Sequence, residues 1–361
     1  MAPIRRNKNR SHQNQQWSVV PDWQPELKLR EHPDPDHVPE DYSDVVNPET
    51  DVLAPEMYQD MERRLPPQLL RATRHEKLLF MRRIVRNHLP APAKGIMVDI
   101  MRRQYIQNIC SQYQPLHPEL YKMNPAAFFL PSFLRAIRGN TAESFMDIIH
   151  EVIAPSVYAF PMLRPVFCEM LMDEVENFLK WAHINKQKIM MPNTLDKHGS
   201  GVAISEIGMQ GMLDELMKKF ISPLSTVLFP GVGGGSLDSQ HSFVVSYSGD
   251  DSGLGMHMEE GHVVLNVCLG KKFTGGEMHF CGRRCANHMN SETHAEERVE
   301  YSHVRGQALL FHGNHRHYVH PTTTGFRANM TIWCKSSFYE EMMKSRKNFH
   351  WCRKCLSEDN I

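Results

Sequence analysis

The sequence predicts an α+β protein in which a β-sandwich or jelly roll carries flanking helices. Apolar residues repeat at three-to-four spacing after Pro165 and again after Leu213, which is typical of amphipathic helices. After the glycine-rich break at residues 231–235 the period shortens, and β-type runs alternate with turn residues. Many short strands that follow helices indicate a β-sandwich or jelly roll with helices packed on one side. The predicted strands are Ser242–Ser248, Val263–Leu269, Glu277–Phe280, Val299–Val304, Ala308–Phe311 and Met330–Cys334.

Each of the two helices after residue 160 has an apolar face. A further helical region is predicted from about Met61 to Ile153, with the clearest periodicity at Glu76–Leu89 and Ala142–Ile153. The run Tyr113–Pro118 marks a break within it. The apolar residues of the two later helices are Phe167, Leu171, Val175, Phe178 and Ala182, then Leu213, Leu216, Phe220 and Leu224.

These elements divide the chain into four predicted parts. We expect residues 1–60 to be mostly disordered, because their apolar content is too low to offset the entropy lost on ordering. Residues 61–160 form a predicted helical accessory region. Residues 161–340 form the main domain, with a jelly-roll core at about 237–336, and residues 341–361 form a tail that contains cysteines.

Charge and composition argue against several classes of partner. The chain has 41 Lys and Arg against 41 Asp and Glu, so direct binding to nucleic acid or to an anionic membrane is not expected. No apolar run reaches the length of about 18 residues that spans a bilayer, and Met1–Gln16 is polar. The eight scattered cysteines indicate reduced thiols. We expect a soluble intracellular protein, and the basic cluster Arg5–Arg10 leaves the nucleus open beside the cytoplasm.

Two candidate metal ligands, His257 and Glu259, lie just before the predicted strand at Val263. Residues two apart in an extended segment point to the same face, so both side chains can reach one ion, whereas Glu260 points the other way. A third ligand is expected from a later strand. His317 follows the hydrophobic run Ala308–Phe311 and is the candidate for it.

Two histidines and one carboxylate form a facial triad, which suits non-haem Fe(II) because three coordination positions stay open. In this chemistry 2-oxoglutarate takes two positions and dioxygen takes the third. The far carboxylate of 2-oxoglutarate then needs a cation, and Arg327 stands ten residues after His317. A guanidinium offers a planar fork that matches a carboxylate. The phenol of Tyr247 is a candidate donor of a further hydrogen bond to the cosubstrate.

Two long segments, Leu254–Phe280 and Gly306–Trp333, carry a resemblance to a known family. They resemble the PKHD-type (prolyl/lysyl hydroxylase-like) Fe(II)/2-oxoglutarate-dependent oxygenases, which include plant hydroxylases and animal relatives. The resemblance runs from about Leu116 to the C-terminus. It implies a double-stranded β-helix, Fe(II), 2-oxoglutarate and L-ascorbate, and it makes residues 161–340 an oxygenase domain. The family's metal ligands and cosubstrate arginine match His257, Glu259, His317 and Arg327.

The sequence departs from the family at two positions. The family carboxylate is Asp, and here it is Glu259, which is longer by one carbon–carbon bond of about 1.5 Å. The family prefers Gly after the distal histidine, and here Tyr318 stands beside His317. A ring next to the metal would narrow or reshape the site. Both departures therefore bear on whether the enzyme is active.

The expected activity is hydroxylation or oxidative demethylation of a side chain, on a protein substrate, with release of succinate and CO2. The alternative is a non-catalytic binding module on a decayed oxygenase fold, for which Glu259 and Tyr318 are the best evidence. A metal-free jelly-roll lectin or cupin-like binder would explain the strands, but it would not explain Arg327 at its spacing.

Two weaker patterns involve further metal-binding residue types. Cys352 and Cys355, with His350 before them, invite a zinc interpretation, but structural zinc needs four ligands and the sequence has no second Cys-x-x-Cys. Two tail thiols are therefore the preferred interpretation. Three histidines near His317 are expected to be packed or solvated, with some of them orienting that ligand. They are His312, His315 and His320.

Overall fold

The structure is a computed structural model that describes residues 27–46, 51, 53–88, 91–190, 192, 201–248, 253–345, 352 and 354–355. The chain divides into two compact units, Met1–Tyr105 and Ile106–Ile361. Among the described helices none is long and apolar enough to cross a membrane. The basic cluster Arg5–Arg10 and His350 lie outside the described residues, so the predictions made on them stay predictions.

The first unit packs helices around a small apolar core. Residues 27–46 belong to the segment that we expected to be mostly disordered, yet Tyr42 and Val46 are buried in this core beside Tyr58 and Leu69. The structure therefore differs from the expectation in the described part of residues 1–60. The helices up to the unit boundary are α1 (Pro55–Glu62), α2 (Pro67–Leu70), α3 (Arg74–His88) and α4 (Ala91–Gln112), the last of which contains that boundary.

A buried carboxylate explains why this segment is ordered. Glu62 is fully buried, and one of its oxygens accepts hydrogen bonds from the Tyr42 hydroxyl at 2.7 Å and from the Glu40 amide at 2.9 Å. The other oxygen lies 2.8 Å from both Lys77 Nζ and His37 Nε2. These polar contacts thus stabilise a segment that has too few apolar residues to be ordered by burial alone.

We expect Glu62→Ala to release residues 37–42, because it leaves Lys77 buried without one of its carboxylates. Breaking a buried ion pair on one side costs about 3 kcal/mol. The measurement is limited chymotrypsin cleavage after Tyr42, which is protected while its ring is buried. Glu56→Ala is the matched control, since Glu56 is exposed on the same helix. Equal cleavage of both variants would show that Glu62 does not hold the segment.

The second unit contains the two helices predicted after residue 160, and the structure confirms both. The apolar residues predicted for their inner faces, from Phe167 to Leu224, are buried. The second helix continues through a π-helical turn at Met217–Ile221, and a kink at Ile207 and Gly208 separates it from the turn at Ser205–Met209. The helices of this unit are α5 (Pro125–Phe128), α6 (Pro131–Gly139), α7 (Ala142–Met146), α8 (Pro165–Ile184), α9 (Gln210–Leu216), α10 (Ser222–Leu228) and α11 (Ser337–Ser345).

The helix predicted over Ala142–Ile153 is wrong in its second half. A Thr141 capping box begins the helix, but it ends at Met146, and a β-hairpin formed by Glu151–Ala154 and Val157–Pro161 follows. Pro155 cannot donate a backbone hydrogen bond, and Ser156 turns the chain with φ of +66°. The second hairpin strand joins the large sheet, so the sheet includes residues before the predicted boundary at 161.

Two antiparallel sheets form the core of this unit. Their strands are β1 (Glu151–Ala154), β2 (Val157–Pro161), β3 (Gly201–Val202), β4 (Ser239–Ser248), β5 (Leu254–His257), β6 (Val263–Cys268), β7 (Phe273–Gly275), β8 (Met278–Arg283), β9 (Arg298–Tyr301), β10 (Gln307–His312), β11 (His315–Val319) and β12 (Thr322–Lys335). The major sheet has the order β1-β2-β10-β6-β12-β4-β3, with β7 added along β12, and the minor sheet has the order β5-β11-β8-β9.

Apolar side chains from both sheets share one core. Phe243, Val264 and Phe311 from the major sheet cluster with Phe280 and Val319 from the minor sheet. Strand β6 is buried along its whole length, which requires cover on both faces of the major sheet, and helix α9 contacts that sheet at β4. Facing antiparallel sheets with helices outside are the architecture of the predicted jelly roll, and the α+β fold class is confirmed.

All six predicted strands are present, and in the described residues the sheets contain six further strands that were not predicted, β1, β2, β3, β5, β7 and β11. Strand β5 has only four residues and β11 contains two histidines among five, so neither shows a clear alternation of apolar and polar residues. The predicted turn at Pro321–Gly325 is instead largely the start of the long strand β12. Gly325, with φ of +75°, lies directly against the backbone of Lys272, a contact that a Cβ would prevent.

Candidate metal centre

The minor sheet places His257 and His317 side by side. Strands β5 and β11 are antiparallel neighbours, and these two residues are direct partners in their register. Their ring centroids are 4.2 Å apart. Each Nδ1 lies near the backbone carbonyl of the residue two positions earlier in the same strand. His257 Nδ1 is 2.7 Å from the Gly255 carbonyl, and His317 Nδ1 is 2.9 Å from the His315 carbonyl. These contacts fix both ring orientations and leave both Nε2 atoms directed toward a common point.

Glu259 completes the group from the loop that follows β5. Its Oε1 lies 3.9 Å from His257 Nε2 and 3.5 Å from His317 Nε2. The three ligand atoms all lie within 4.8 Å of one another. The structure therefore brings together the three residues that the sequence predicted as ligands, His257 and His317 from two strands and Glu259 from a loop.

Two contacts place the Glu259 carboxylate. Its Oε2 accepts a hydrogen bond from the indole nitrogen of Trp333 at 2.8 Å, so Oε1 is the oxygen left facing the histidines. Its backbone amide donates to the carbonyl of Gly313 at 3.0 Å. A Cβ at Gly313 would overlap the Gly261 carbonyl, so only glycine allows this close approach of the two loops.

The site is charged as a cation site requires. Burial, with the charge of His317 as a second cause, lowers the pKa of His257 to about 4, so this imidazole is neutral with a lone pair to share at pH 7. Burial raises the pKa of Glu259, but the neighbouring His317, with further contributions from His257 and Trp333, holds it below its ordinary value. Glu259 is therefore a carboxylate that faces the neutral imidazole of His257.

The donor set fits a divalent iron ion. His317 is fully buried, and the nearest partner of its Nε2 is Glu259 Oε1 at 3.5 Å, which is longer than a normal hydrogen bond. A buried ring nitrogen directed at a carboxylate without bonding to it leaves room for an ion between them. Two imidazoles and one carboxylate on one side of that ion leave its other positions open, as Fe(II) oxygenase chemistry requires.

We expect Glu259→Asp to weaken Fe(II) binding by about tenfold or more. A carboxylate oxygen must come within about 2.0–2.2 Å of such an ion. Glu259 presents one oxygen to the two histidines while Trp333 holds the other oxygen. The shorter Asp cannot keep both contacts, and lost partners of a metal ligand typically cost ten- to hundredfold in affinity. Anaerobic Fe(II) titration of the purified variant measures the change.

Glu260→Ala is the matched control for this substitution. Glu260 is exposed, and its carboxylate lies 3.8 Å from Lys335 Nζ on the surface, as expected for a side chain that points away from the ligands. Iron affinity should therefore not change. If Glu259→Asp instead raised 2-oxoglutarate turnover, the site would be a degraded His-x-Asp site and not one fitted to glutamate.

The expectation that Tyr318 narrows the site is wrong. Successive side chains of a strand point to opposite faces, so Tyr318 lies on the face of β11 away from His317. There its ring stacks on His279, with centroids 4.6 Å apart and planes 2° apart. His320 stacks on the same imidazole at 4.4 Å. The residue after the distal histidine therefore does not count against activity.

Arg327 lies on β12 with its side chain buried. It is the direct register partner of Tyr247, and its guanidinium carbon lies 4.0 Å from the centre of that ring. Its Nε donates to Thr322 Oγ1 at 3.3 Å, and its Nη1 donates to Asn329 Oδ1 at 3.2 Å. A Cβ at Gly276 would lie 2.7 Å from the Arg327 side chain, so this glycine gives the arginine its space. The predicted cosubstrate residues thus form one packed pair.

Alternate residues of β12 connect this pair to the ligands. Arg327, Asn329, Thr331 and Trp333 share one face of the strand, and the last of them holds Glu259. The side-chain amide of Asn329 donates to Asn266 Oδ1 at 2.7 Å, and the side-chain amide of Asn266 donates to Thr331 Oγ1 at 3.0 Å. A row of buried, hydrogen-bonded polar groups therefore runs along the interior from Arg327 to Thr331, two residues before the Trp333 that holds Glu259.

Sequence reasoning missed these interior residues, and it also missed His303. The ring of His303 lies 3.3 Å from the Asn329 amide, and its Nε2 is buried with no hydrogen-bond partner among the described residues. Burial, with the charge of Arg327 as a second cause, lowers its pKa to about 3, so the ring is neutral. Little in the sequence indicated this role, because His303 was simply the penultimate residue of the predicted strand Val299–Val304.

The other histidines near the distal ligand have separate roles. The carbonyl of His315 orients His317, while Nδ1 of His312 accepts a hydrogen bond from the Asn314 amide at 3.1 Å. His320 is exposed and stacked on His279. Orientation of the ligand therefore comes from a backbone carbonyl and not from a neighbouring imidazole.

Comparison with known proteins agrees with this architecture. Residues 109–234 match the model of the OGFOD2-like domain family. The chain is 44% identical to "2-oxoglutarate and iron-dependent oxygenase domain-containing protein CP2" of Arabidopsis thaliana, over 92% of this chain and 82% of that protein. It is 34% identical to "2-oxoglutarate and iron-dependent oxygenase domain-containing protein 2" of Xenopus tropicalis, over 64% and 65% of the two chains.

A more distant relative is the human "Multifunctional procollagen lysine hydroxylase and glycosyltransferase LH3", at 27% identity over 65% of this chain and 31% of that protein. The match to CP2 extends over nine tenths of this chain and four fifths of that protein. The chain therefore belongs to the family of 2-oxoglutarate and iron-dependent oxygenase domain-containing proteins.

Proposed function

We propose that the chain is an active 2-oxoglutarate-dependent dioxygenase in which His257, Glu259 and His317 hold Fe(II) and Arg327 binds the cosubstrate. The observation that supports this most directly is the convergence of one carboxylate oxygen and two imidazole nitrogens within 4.8 Å. With iron and 2-oxoglutarate bound, the site would reduce dioxygen, form succinate and CO2, and oxidise an unactivated C–H bond of the substrate.

The residues of the chain supply position and electrostatics to that reaction. Trp333 holds one oxygen of Glu259, so the other stays directed at the metal position. Arg327 presents a buried guanidinium that Tyr247 and Asn329 keep in place. A carboxylate that enters this interior exchanges water for a charge-assisted hydrogen bond, which is roughly twice as strong as a neutral one. The site would therefore favour a dicarboxylate, with one end at the iron and the other at the arginine.

The substrate that we propose is a side chain on a protein. The relative LH3 is named a procollagen lysine hydroxylase, which supports side-chain hydroxylation as the reaction and a PKHD-type enzyme as the subtype. Oxidative demethylation follows the same chemistry when the attacked carbon belongs to an N-methyl group. We further propose that L-ascorbate sustains turnover, as the resemblance to PKHD-type hydroxylases implies.

Anaerobic titration with Fe(II) and 2-oxoglutarate tests the proposal. A working site gives the visible charge-transfer band of iron chelated by the keto acid, and the band disappears when oxygen is admitted and succinate forms. A decayed binding module gives no band at saturating iron. Incubation with peptide pools and mass spectrometry then tests the substrate class, because hydroxylation adds one oxygen atom and demethylation removes one methyl group.

A further inference from the structure

The sheet unit contains a second cluster of metal-binding side chains. Cys285 and His288 lie in the loop that follows β8, and Cys352 and Cys355 lie in the C-terminal tail. Their four ligand atoms are all within 4.8 Å of one another. The sequence suggested a zinc site only at the tail pair and lacked a second Cys-x-x-Cys. The structure supplies the missing pair as a Cys-x-x-His.

Local geometry gives both pairs the same design. Cys285 caps a 3₁₀ turn at Ala286–His288, and the His288 amide donates to the Cys285 carbonyl at 3.0 Å. Residues three apart in a 3₁₀ turn lie on the same side, so the thiol and the imidazole point together. Cys352 and Cys355 are also three residues apart, and Cys355 lies in a helical turn. Two short turns thus face each other with two ligands each.

The distances match a tetrahedral zinc ion. Bonds of about 2.3 Å to sulfur and about 2.0 Å to nitrogen place tetrahedral sulfur atoms about 3.8 Å apart, and sulfur and nitrogen about 3.5 Å apart. Sγ of Cys285 lies 3.7 Å from Sγ of Cys355. His288 Nδ1 lies 3.3 Å from the sulfurs of Cys285 and Cys355 and 3.7 Å from that of Cys352. All four separations agree with these edges within a few tenths of an ångström.

We propose that Cys285, His288, Cys352 and Cys355 form a structural zinc site. Three soft thiolates and one imidazole complete a closed tetrahedral shell, which is the pattern of structural zinc and leaves no position open for a substrate. The candidate iron centre has the opposite character, with hard donors and open positions. One chain would therefore carry two metals with separate roles.

The zinc site would hold the tail to a loop that braces the candidate iron centre. Arg316 is fully buried, and its guanidinium donates to the carbonyls of Met289 at 3.1 Å and Ser291 at 2.6 Å, just after His288. Arg316 also precedes His317 on β11. Cys352, although it belongs to the tail, has only 1% of its surface exposed. A bound ion would thus fasten the C-terminal residues to the loop next to the strand that carries the distal ligand.

A disulfide is the competing explanation for the nearest thiol pair. The two sulfurs of Cys285 and Cys355 are 3.7 Å apart, whereas a disulfide bond is about 2.05 Å long. A disulfide would also leave the convergence of His288 and Cys352 on the same point without a cause. One zinc ion explains why all four ligand atoms are separated by the distances expected of a tetrahedron.

Metal analysis of the full chain tests the proposal. We expect wild-type protein from zinc-containing medium to hold one zinc per chain that survives dialysis against Fe(II), and cobalt substitution to give intense thiolate-to-cobalt absorption. Cys285→Ser and Cys352→Ser should lose both signals. Cys110→Ser is the matched control, because Cys110 is exposed elsewhere in the unit, and it should keep both. His317→Ala should keep the cobalt signal, since the candidate iron centre contains no thiolate.

A measurement on the wild type alone covers the case in which a cysteine variant does not fold. Titration of the thiols with an organomercurial should release zinc to a chelating dye as Cys285, Cys352 and Cys355 react. Folded wild-type protein that neither contains zinc nor binds cobalt through sulfur would overturn the proposal. So would a disulfide between Cys285 and Cys355, detected by mass spectrometry of the unreduced protein.

Discussion

His317→Ala is expected to reduce Fe(II) affinity by at least about a hundredfold and to abolish succinate formation. The ring is fully buried, and its Nε2 is directed at Glu259 Oε1, with no hydrogen-bond partner in the part of the chain that the structure describes. Loss of partners that merely orient a ligand costs ten- to hundredfold, so loss of a ligand should exceed that range. Anaerobic iron titration and a succinate assay measure the two effects, and circular dichroism checks the fold.

His320→Ala is the control that separates a ligand from a neighbour. His320 lies three residues along the chain, and it is exposed and stacked on His279. Its removal should leave iron binding and turnover near those of the wild type. Near wild-type turnover in His317→Ala would show that the third ligand is another residue, and the proposed centre would have to be abandoned.

Part of the candidate site could be predicted from the sequence because two of its residues are close together in the chain. His257 and Glu259 are two apart in an extended segment, and a distal histidine and an arginine follow in a fixed order. Trp333 could not be predicted as a partner of Glu259, because their contact depends on how β12 is placed beside a loop 74 residues earlier. Strand register is set by the whole sheet and has no marker at either residue.

The same distinction between local and distant contacts explains the fold and the zinc cluster. The long helix Pro165–Ile184 and the apolar strands were predicted because their periods are clear within a dozen residues. Strand β11 was missed because its residues, His315 to Val319, alternate histidine with other polar groups. Likewise, the Cys-x-x-His at residue 285 was not connected to the tail, because 64 residues separate His288 from Cys352.

Glu62 shows why amino-acid composition alone did not predict that this segment is ordered. A segment with few apolar residues was expected to be disordered, since burial could not offset the entropy of ordering. In the described residues, four hydrogen-bond donors meet this one carboxylate and order the chain around Tyr42. Composition counts apolar groups but does not show which polar groups will meet, so such a network can be seen only in the structure.

Arg327→Leu is expected to raise the Kd for 2-oxoglutarate by about a hundredfold or more and to change Fe(II) affinity little. The guanidinium is buried, so its loss leaves the far carboxylate of the cosubstrate in a closed interior without a cation. An uncompensated buried charge of this kind costs roughly 3–5 kcal/mol. Titration of the charge-transfer band with 2-oxoglutarate gives the cosubstrate Kd, and iron titration without it gives the metal affinity separately.

Two further variants define what the arginine contributes. Arg327→Lys keeps the charge but loses the planar fork and its place on the Tyr247 ring, so we expect an intermediate Kd. Arg298→Leu removes a charge from an exposed position on β9 and should change neither affinity. A Kd for 2-oxoglutarate that stays near the wild-type value in Arg327→Leu would assign the far carboxylate to another group. His303, whose buried ring lies beside Asn329, would then be the next residue to test. An equal loss of iron and cosubstrate binding would instead indicate that Arg327 supports the fold, because β12 also carries Trp333 and thereby Glu259.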